Sequence, residues 1–239
     1  KVFGDWVDFG NYTEANGGEL WRTNGTTTEL VKDINPGEGS SWPSEFTELG
    51  GFLFFEALSP GAGTELWKTD GTTTSLVQDL EPGIASSDPE DFTVANGKLY
   101  FSAYTAATGD ELYRTDGNTI SLVQNINPGA NSSYPSDLAT FGSKLVFAAD
   151  NGVSGSEFWG SDGVTTSLIA DINAGGGNSY PEDFTTIGDK LVFEATDGVN
   201  GSEPWTYDGV TASIIQNVSA GPGSSSPDEM MALGNEVYF

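Results

Sequence analysis

The sequence predicts an all-β chain folded as a β-propeller of five blades, each with four antiparallel strands. Three observations carry that prediction: a pattern that returns every 46 residues, period-2 alternation of apolar and polar residues within each copy, and a tight-turn dipeptide at one fixed place in every copy. The pattern is the tetrad Glu19-Leu20-Trp21-Arg22, which recurs at 65–68, 111–114, 157–160 and 203–206. A unit this short cannot bury a core alone and must pack against its copies. No stretch of different composition interrupts the array, so residues 1–239 are expected to form a single domain.

The elements follow from the fourth copy. Residues 190–195 place Leu191, Phe193 and Ala195 on one face and Val192 and Glu194 on the other, which is a strand. A loop of Gly, Ser and Asn leads into a tetrad strand at 203–207. Then comes Asp208-Gly209, a dipeptide suited to tight hairpin turns because both residues tolerate positive φ. Its counterparts are Asn24-Gly25, Asp70-Gly71, Asp116-Gly117 and Asp162-Gly163. A third strand is clearest at 75–80, closed by Glu81-Pro82-Gly83, and a fourth follows each Ser-Ser-x-Pro loop, as at 91–94. Four short strands in this length match a propeller blade, whereas the rungs of an open β-solenoid are shorter and less hairpin-like. The Leu-x-Phe strand recurs at 52–55, 99–101, 145–147, 191–193 and 237–239, with a further copy before Glu19. Aligned without a gap that copy is 6–9; aligned by similarity it is 1–3. Either way there is one copy more than five blades need, an overhang expected from closure of the ring by strand exchange or from truncation of a longer array, and one that offers a strand for pairing with a neighbouring chain.

With 35 acidic against 8 basic residues the net charge is -27, which repels nucleic acid and anionic lipid and favours cations and neutral glycans as partners. The 36% hydrophobic content, with 14 Phe, 8 Tyr and 6 Trp, argues against disorder. Without cysteine there is neither a disulfide nor a thiolate metal site, and without histidine the commonest general base is missing. No apolar run approaches a bilayer span, so membrane insertion is not expected. The chain opens at Lys1 with neither methionine nor a signal-like segment, as expected of a processed chain or a piece of a longer one.

The run Glu65-Leu66-Trp67-Lys68-Thr69-Asp70-Gly71-Thr72 resembles the signature of the ELWxxDGT repeat family of large secreted or surface proteins. Leu76-Val77-x-Asp79, the Pro-Gly turns at Pro36, Pro82 and Pro128, and the Ser-Ser-x-Pro loop fit the same pattern. Departures are Phe158 and Pro204 for Leu, Tyr113 for Trp, and Ala174 and Ala220 for the turn Pro. Pro204 cannot donate a ladder hydrogen bond, which puts the pairing of the last blade in question. The resemblance implies an extracellular or cell-surface location and a propeller-like scaffold, with no reaction to carry over. Repeat length and number also resemble five-bladed lectins of the tachylectin type.

Residues that repeat are read chiefly as scaffold. Trp21, Trp67, Tyr113, Trp159 and Trp205 are expected to fill the wedge between sheets, and Glu19, Glu65, Glu111, Glu157 and Glu203 to satisfy backbone donors between blades; the competing role for these Glu is a ring around a cation. Asp33, Asp79 and Asp171 exchange with Asn125 and Asn217, which suits hydrogen bonding better than charge-dependent metal binding. Residues that vary are candidate sites. Before each repeated Pro stand Trp42, Asp88, Tyr134, Tyr180 and Ser226; the aromatic ones, with Asn178 beside Tyr180, suit stacking on a sugar face. Two Gly-rich loops place Asp150, Asn151 and Glu157, and Asp197, Asn200 and Glu203, in short arcs with the oxygen donors calcium accepts, and Ca2+ is the one cofactor considered. Sequons for glycosylation stand at Asn11, Asn24, Asn131, Asn200 and Asn217. Acids that break the repeat, for example Asp5, Asp8, Glu14, Glu38, Glu45 and Asp88, are expected mostly in loops or near the terminus. The sum points to a non-enzymatic extracellular module for binding, adhesion or surface assembly, whose partners are glycans or other surface proteins. The alternative is a glycoside hydrolase with a carboxylate pair in the axial pocket.

Overall fold

The computed structural model describes residues 1–234 and 236–239. The first blade is β1 (Val2–Phe3), β2 (Trp6–Thr13), β3 (Gly17–Thr23) and β4 (Thr28–Lys32). The second is β5 (Ser44–Leu49), β6 (Phe52–Ser59), β7 (Gly63–Thr69) and β8 (Thr74–Leu76). The third is β9 (Glu90–Ala95), β10 (Lys98–Thr105), β11 (Gly109–Thr115) and β12 (Ile120–Gln124). The fourth is β13 (Ser136–Phe141), β14 (Lys144–Asp150), β15 (Ser156–Ser161) and β16 (Thr166–Ala170). The fifth is β17 (Glu182–Ile187), β18 (Lys190–Thr196), β19 (Ser202–Tyr207) and β20 (Ala212–Ile214), followed by a hairpin of β21 (Met231–Leu233) and β22 (Glu236–Tyr238). Each blade is an antiparallel meander in chain order, the sheet architecture of a β-propeller, and no helix occurs among the described residues. The chain divides into two compact units, Lys1–Leu122 and Val123–Phe239.

Register settles what spacing left open. Asp8 pairs with Arg22 as Phe54 pairs with Lys68, so the gap-free copy at 6–9 is the true counterpart and residues 2–3 are the first strand of the blade. The surplus at the other end is a half-blade, β21 and β22, lying against β17. The strand expected at 75–80 is shorter: β8 ends at Leu76, beyond which Val77 N–H still donates to Leu66 C=O at 2.9 Å. Pro204 does not disrupt its blade, because it is the Pro204 carbonyl that is used, accepting from Ile215 N–H at 2.8 Å.

The core lies between blades rather than within them. In the first unit Leu20 and Ile34 of one blade meet Phe55 and Ala57 of the next, and Phe54 and Leu66 meet Leu99, Phe101 and Tyr113. In the second unit Val146 and Phe158 meet Leu191, Phe193 and Trp205. The tetrad aromatic therefore faces the preceding blade and the Leu or Phe before it faces the following one, which is the wedge-filling role expected of the repeated ring.

All five tetrad Glu are buried, each 0% exposed. Glu19 accepts from Ile34 N–H (2.8 Å), Ser41 N–H (3.0 Å) and Ser41 Oγ (2.7 Å). Glu65 repeats this with Leu80 N–H (3.1 Å), Ser87 N–H (3.1 Å) and Ser87 Oγ (2.6 Å). Glu157 takes Ile172 N–H (2.6 Å) and Ser179 Oγ (2.8 Å), and Glu203 takes Val218 N–H (2.8 Å) and Ser225 Oγ (2.7 Å). These four carboxylates thus staple their strands to the loops that leave the blades, and their oxygens are committed to donors rather than to a cation.

Glu65→Ala leaves Leu80 N–H and the Ser87 hydroxyl without their acceptor, while Ser87 N–H keeps Thr64 C=O at 3.1 Å, and should cost about 2 to 3 kcal/mol in urea unfolding, whereas Glu65→Gln, which keeps an acceptor oxygen, should cost about 1 kcal/mol. Equal losses for the two substitutions would show that the hydrogen bonds are not what the carboxylate supplies.

Candidate functional site

In four blades the serine held by the tetrad Glu precedes a residue whose backbone it fixes, and the fifth copy has the same backbone. Trp42, Asp88, Tyr134, Tyr180 and Ser226 all have left-handed backbone, with φ between 42° and 47°, and all are exposed, while the following proline is buried. Left-handed backbone in a bulky residue is uncommon and persists only where the surroundings hold it. Here a buried serine on one side and a buried proline on the other turn the intervening side chain outward, leaving Trp42 62%, Tyr134 67% and Tyr180 59% exposed. Trp42 also stacks with Tyr12, centroids 6.4 Å apart, and Asn178 Nδ2 donates to the Tyr180 hydroxyl at 2.7 Å.

The fourth blade brings together residues that the sequence treated separately. Asp150 N–H donates to Ser133 C=O at 2.8 Å, which sets the end of β14 beside the Ser-x-Pro loop. Tyr134, Asp150, Asn127, Asn131 and Ser132 line one open groove of about 600 Å³. Asp150 Oδ1 accepts from Gly152 N–H at 2.7 Å and Asn127 Nδ2 donates to Ser132 C=O at 2.8 Å, so the groove floor is held by its own hydrogen bonds.

The six residues considered for calcium do not converge. Glu157 and Glu203 are buried against their loops as described above. Asn151 Oδ1 caps Val153 N–H (2.9 Å) and Ser154 N–H (2.8 Å). Asp197 closes a turn onto Val199 N–H (2.9 Å), Asn200 N–H (2.8 Å) and Asn200 Nδ2 (2.7 Å); burial works against its charge, yet these bonds hold its pKa below the usual carboxylate range. Among the described residues no three His, Cys, Asp or Glu side chains gather as a metal site would need. Of the sequons, Asn11 and Asn131 are exposed, Asn24 Oδ1 caps Thr27 N–H at 2.8 Å within its turn, and Asn200 Oδ1 accepts from Asn217 Nδ2 at 2.7 Å. A glycan on Asn217 would take one of the two Nδ2 hydrogens, which are shared between Asn200 Oδ1 and Gly221 C=O at 3.4 Å.

Glu45 does not break the repeat. Glu45, Asp91, Asp137, Asp183 and Glu229 stand 46 residues apart and share a left-handed backbone, φ 50° to 58°. In the four complete first strands that carry one, the acid sits at a β-bulge with one extra residue. First strands of successive blades lie against each other within each unit, so the acids meet. Asp183 Oδ2 accepts the backbone N–H of Glu229 at 3.2 Å, and Asp137 is likewise bonded by the N–H of Asp183. Burial raises the pKa of Asp137 against these bonds. Burial and then repulsion from Asp137, Asp183 and Asp228 raise Glu182, and burial with repulsion from Asp228 raises Asp183.

Solved structures share the fold. The chain is similar to the computationally designed Ika8 protein, with 13% identity and a TM-score of 0.54 over 99% of this chain and 65% of that one. It is similar to a puromycin hydrolase (14%, 0.56, 87% and 35%) and to the GH74 enzyme of Niastella koreensis (15%, 0.52, 89% and 36%). The chain thus spans just under two thirds of the designed protein and little more than a third of each enzyme. These identities speak for the propeller fold alone. No family model and no curated protein sequence matches the chain.

The two sets of acids pull stability in opposite directions with pH. Raised carboxylates such as Glu182 and Asp183 stabilise most below the ordinary carboxylate pKa and lose that contribution as pH rises through their folded values. The turn acids Asp70, Asp162 and Asp208, lowered by backbone N–H bonds, contribute above the ordinary value and lose it as pH falls. Melting temperature should therefore rise from neutral pH to about pH 5 and fall below about pH 3. Asp183→Asn should flatten the first limb; an unchanged limb would assign it to general self-repulsion instead.

Proposed function

We propose that the chain is a non-enzymatic binding module of the extracellular space or cell surface, and that it takes neutral glycans in the groove of the fourth blade. The observation that carries this reading is the joining of Tyr134 with Asp150, Asn127, Asn131 and Ser132 around one open groove. An exposed phenol ring offers an apolar face to a sugar ring, and a carboxylate and amides beside it match hydroxyls, the usual division of labour in a polar ligand site. Trp42 and Tyr180, on equivalent backbone in other blades, supply further stacking surfaces. The net charge of -27 selects against anionic glycans. The surface placement rests on the resemblance to the ELWxxDGT repeats.

The hydrolase alternative has one observation in its favour, the raised carboxylates Glu182, Asp183 and Glu194, since a general acid needs such a shift. Against it, Asp183 is a repeated residue bonded to the next blade, and a carboxylate pair that acts on one substrate has no need of copies.

A neutral-glycan array and a turnover assay on the same panel test both readings. Binding without hydrolysis is expected, with Tyr134→Ala and Asp150→Asn each weakening it about tenfold. Hydrolysis abolished by Glu182→Gln would replace the binding reading with the hydrolase.

A further inference from the structure

Asp8 occupies a core position. Its counterparts 46, 92, 138 and 184 residues on are Phe54, Tyr100, Val146 and Val192, all buried. Asp8 is itself 0% exposed, on β2 rather than in a loop, and neither of its carboxylate oxygens has a hydrogen-bond partner. Leaving such a group unpaired is costly, so its surroundings indicate what would pair it. Neither neighbouring cation does: the N-terminal ammonium of Lys1 donates to the Asp8 backbone carbonyl at 2.9 Å. Arg22 stands directly across the ladder, but its Nε and Nη2 donate to Glu29 and its Nη1 to Gly71 C=O, while its guanidinium lies over the Trp6 ring at 4.4 Å.

Asp8 lines a pocket of about 380 Å³ in the first unit, whose wall also carries Asp5, Glu48, Asp70, Trp6 and Arg22. Four acids line the wall against one base, whose donors are already paired and which covers the Trp6 ring, so the cavity is electronegative. Burial raises the pKa of Asp8, opposed by Arg22 and the amino group of Lys1, as expected of a carboxylate lacking a donor.

We propose that this pocket binds a guanidinium group, with Asp8 as its bidentate acceptor. Two free oxygens on one planar carboxylate match two parallel N–H groups of one planar fork, a geometry an ammonium cannot reproduce. A guanidinium is also more weakly hydrated than an ammonium, so it enters a buried site at less cost. A divalent cation fits less well, because it needs several convergent oxygen ligands and no such gathering of acids occurs among the described residues. The site shares no residue with the groove of the fourth blade and stands or falls independently of it.

The test is calorimetric titration of the intact chain with N-acetyl-arginine amide, N-acetyl-lysine amide and an Ala-Arg-Ala peptide at matched ionic strength. The arginine amide should bind saturably, at least about tenfold tighter than the lysine amide, and Asp8→Asn should weaken it about tenfold. Asp8→Leu restores the apolar character of the other blades; it should melt no lower than the parent and abolish binding. A peptide tighter than the amide assigns the guanidinium to a polypeptide ligand, and equal affinity assigns it to a free small molecule, both within the proposal. Lack of saturable binding, lysine equal to arginine, or binding unaffected by Asp8→Leu overturns it.

Discussion

One buried carboxylate per blade holds the architecture to its dimensions. The tetrad Glu lies in the third strand, yet the groups it binds are on the connecting loop: a backbone N–H fifteen residues on, and a serine N–H and hydroxyl twenty-two residues on. An ionised group taken out of water must be met by donors, and a blade that buries Glu19 or Glu65 must therefore bring Ser41 or Ser87 to it. That requirement sets the path of the loop, places the next residue in left-handed backbone, and tucks the proline under. The exposed Trp42 and Tyr180 follow from the same geometry as the core.

The 46-residue beat made the strands, the hairpin turns and the inter-blade packing legible, because Leu, Phe and Trp return on fixed faces and a period-2 pattern has few other folds open to it. It also gave the structural part of Glu19 and its copies. What it hid had physical causes. Glu45 looked unique because its position alternates between Glu and Asp, and nothing in the local sequence announces the bulge that gives these acids positive φ. The place of Asp8 is hidden because the first copy aligns with 6–9 without a gap but with 1–3 by similarity, and only the ladder between β2 and β3 decides. The groove of the fourth blade was half visible: Tyr134 and Asp150 were both singled out, but they lie 16 residues apart, and it takes the bond from Asp150 N–H to Ser133 C=O to set them side by side.

Repetition therefore acts as a filter with a finer mesh than the sequence alone suggests. Two repeated acids, the tetrad Glu and Asp183, are taken up by donors of their own or the next blade. Side chains that leave the repeat do so in two ways: in an exposed loop position, where variation is free of packing cost, as at Trp42, Asp88 and Tyr134; and in a core position, where it is not, as at Asp8. The second kind is rarer and carries more information, since an unpaired buried carboxylate is retained against a standing penalty.

The staple itself is most directly tested by a double-mutant cycle on Glu157 and Ser179, with each residue changed to Ala singly and together and stability read from urea unfolding. If the buried carboxylate organises the loop through this contact, the pair should be coupled by about 1 to 3 kcal/mol. Additive losses, with coupling below about 0.5 kcal/mol, would mean that blade packing alone positions the loop and that the carboxylate is a passenger.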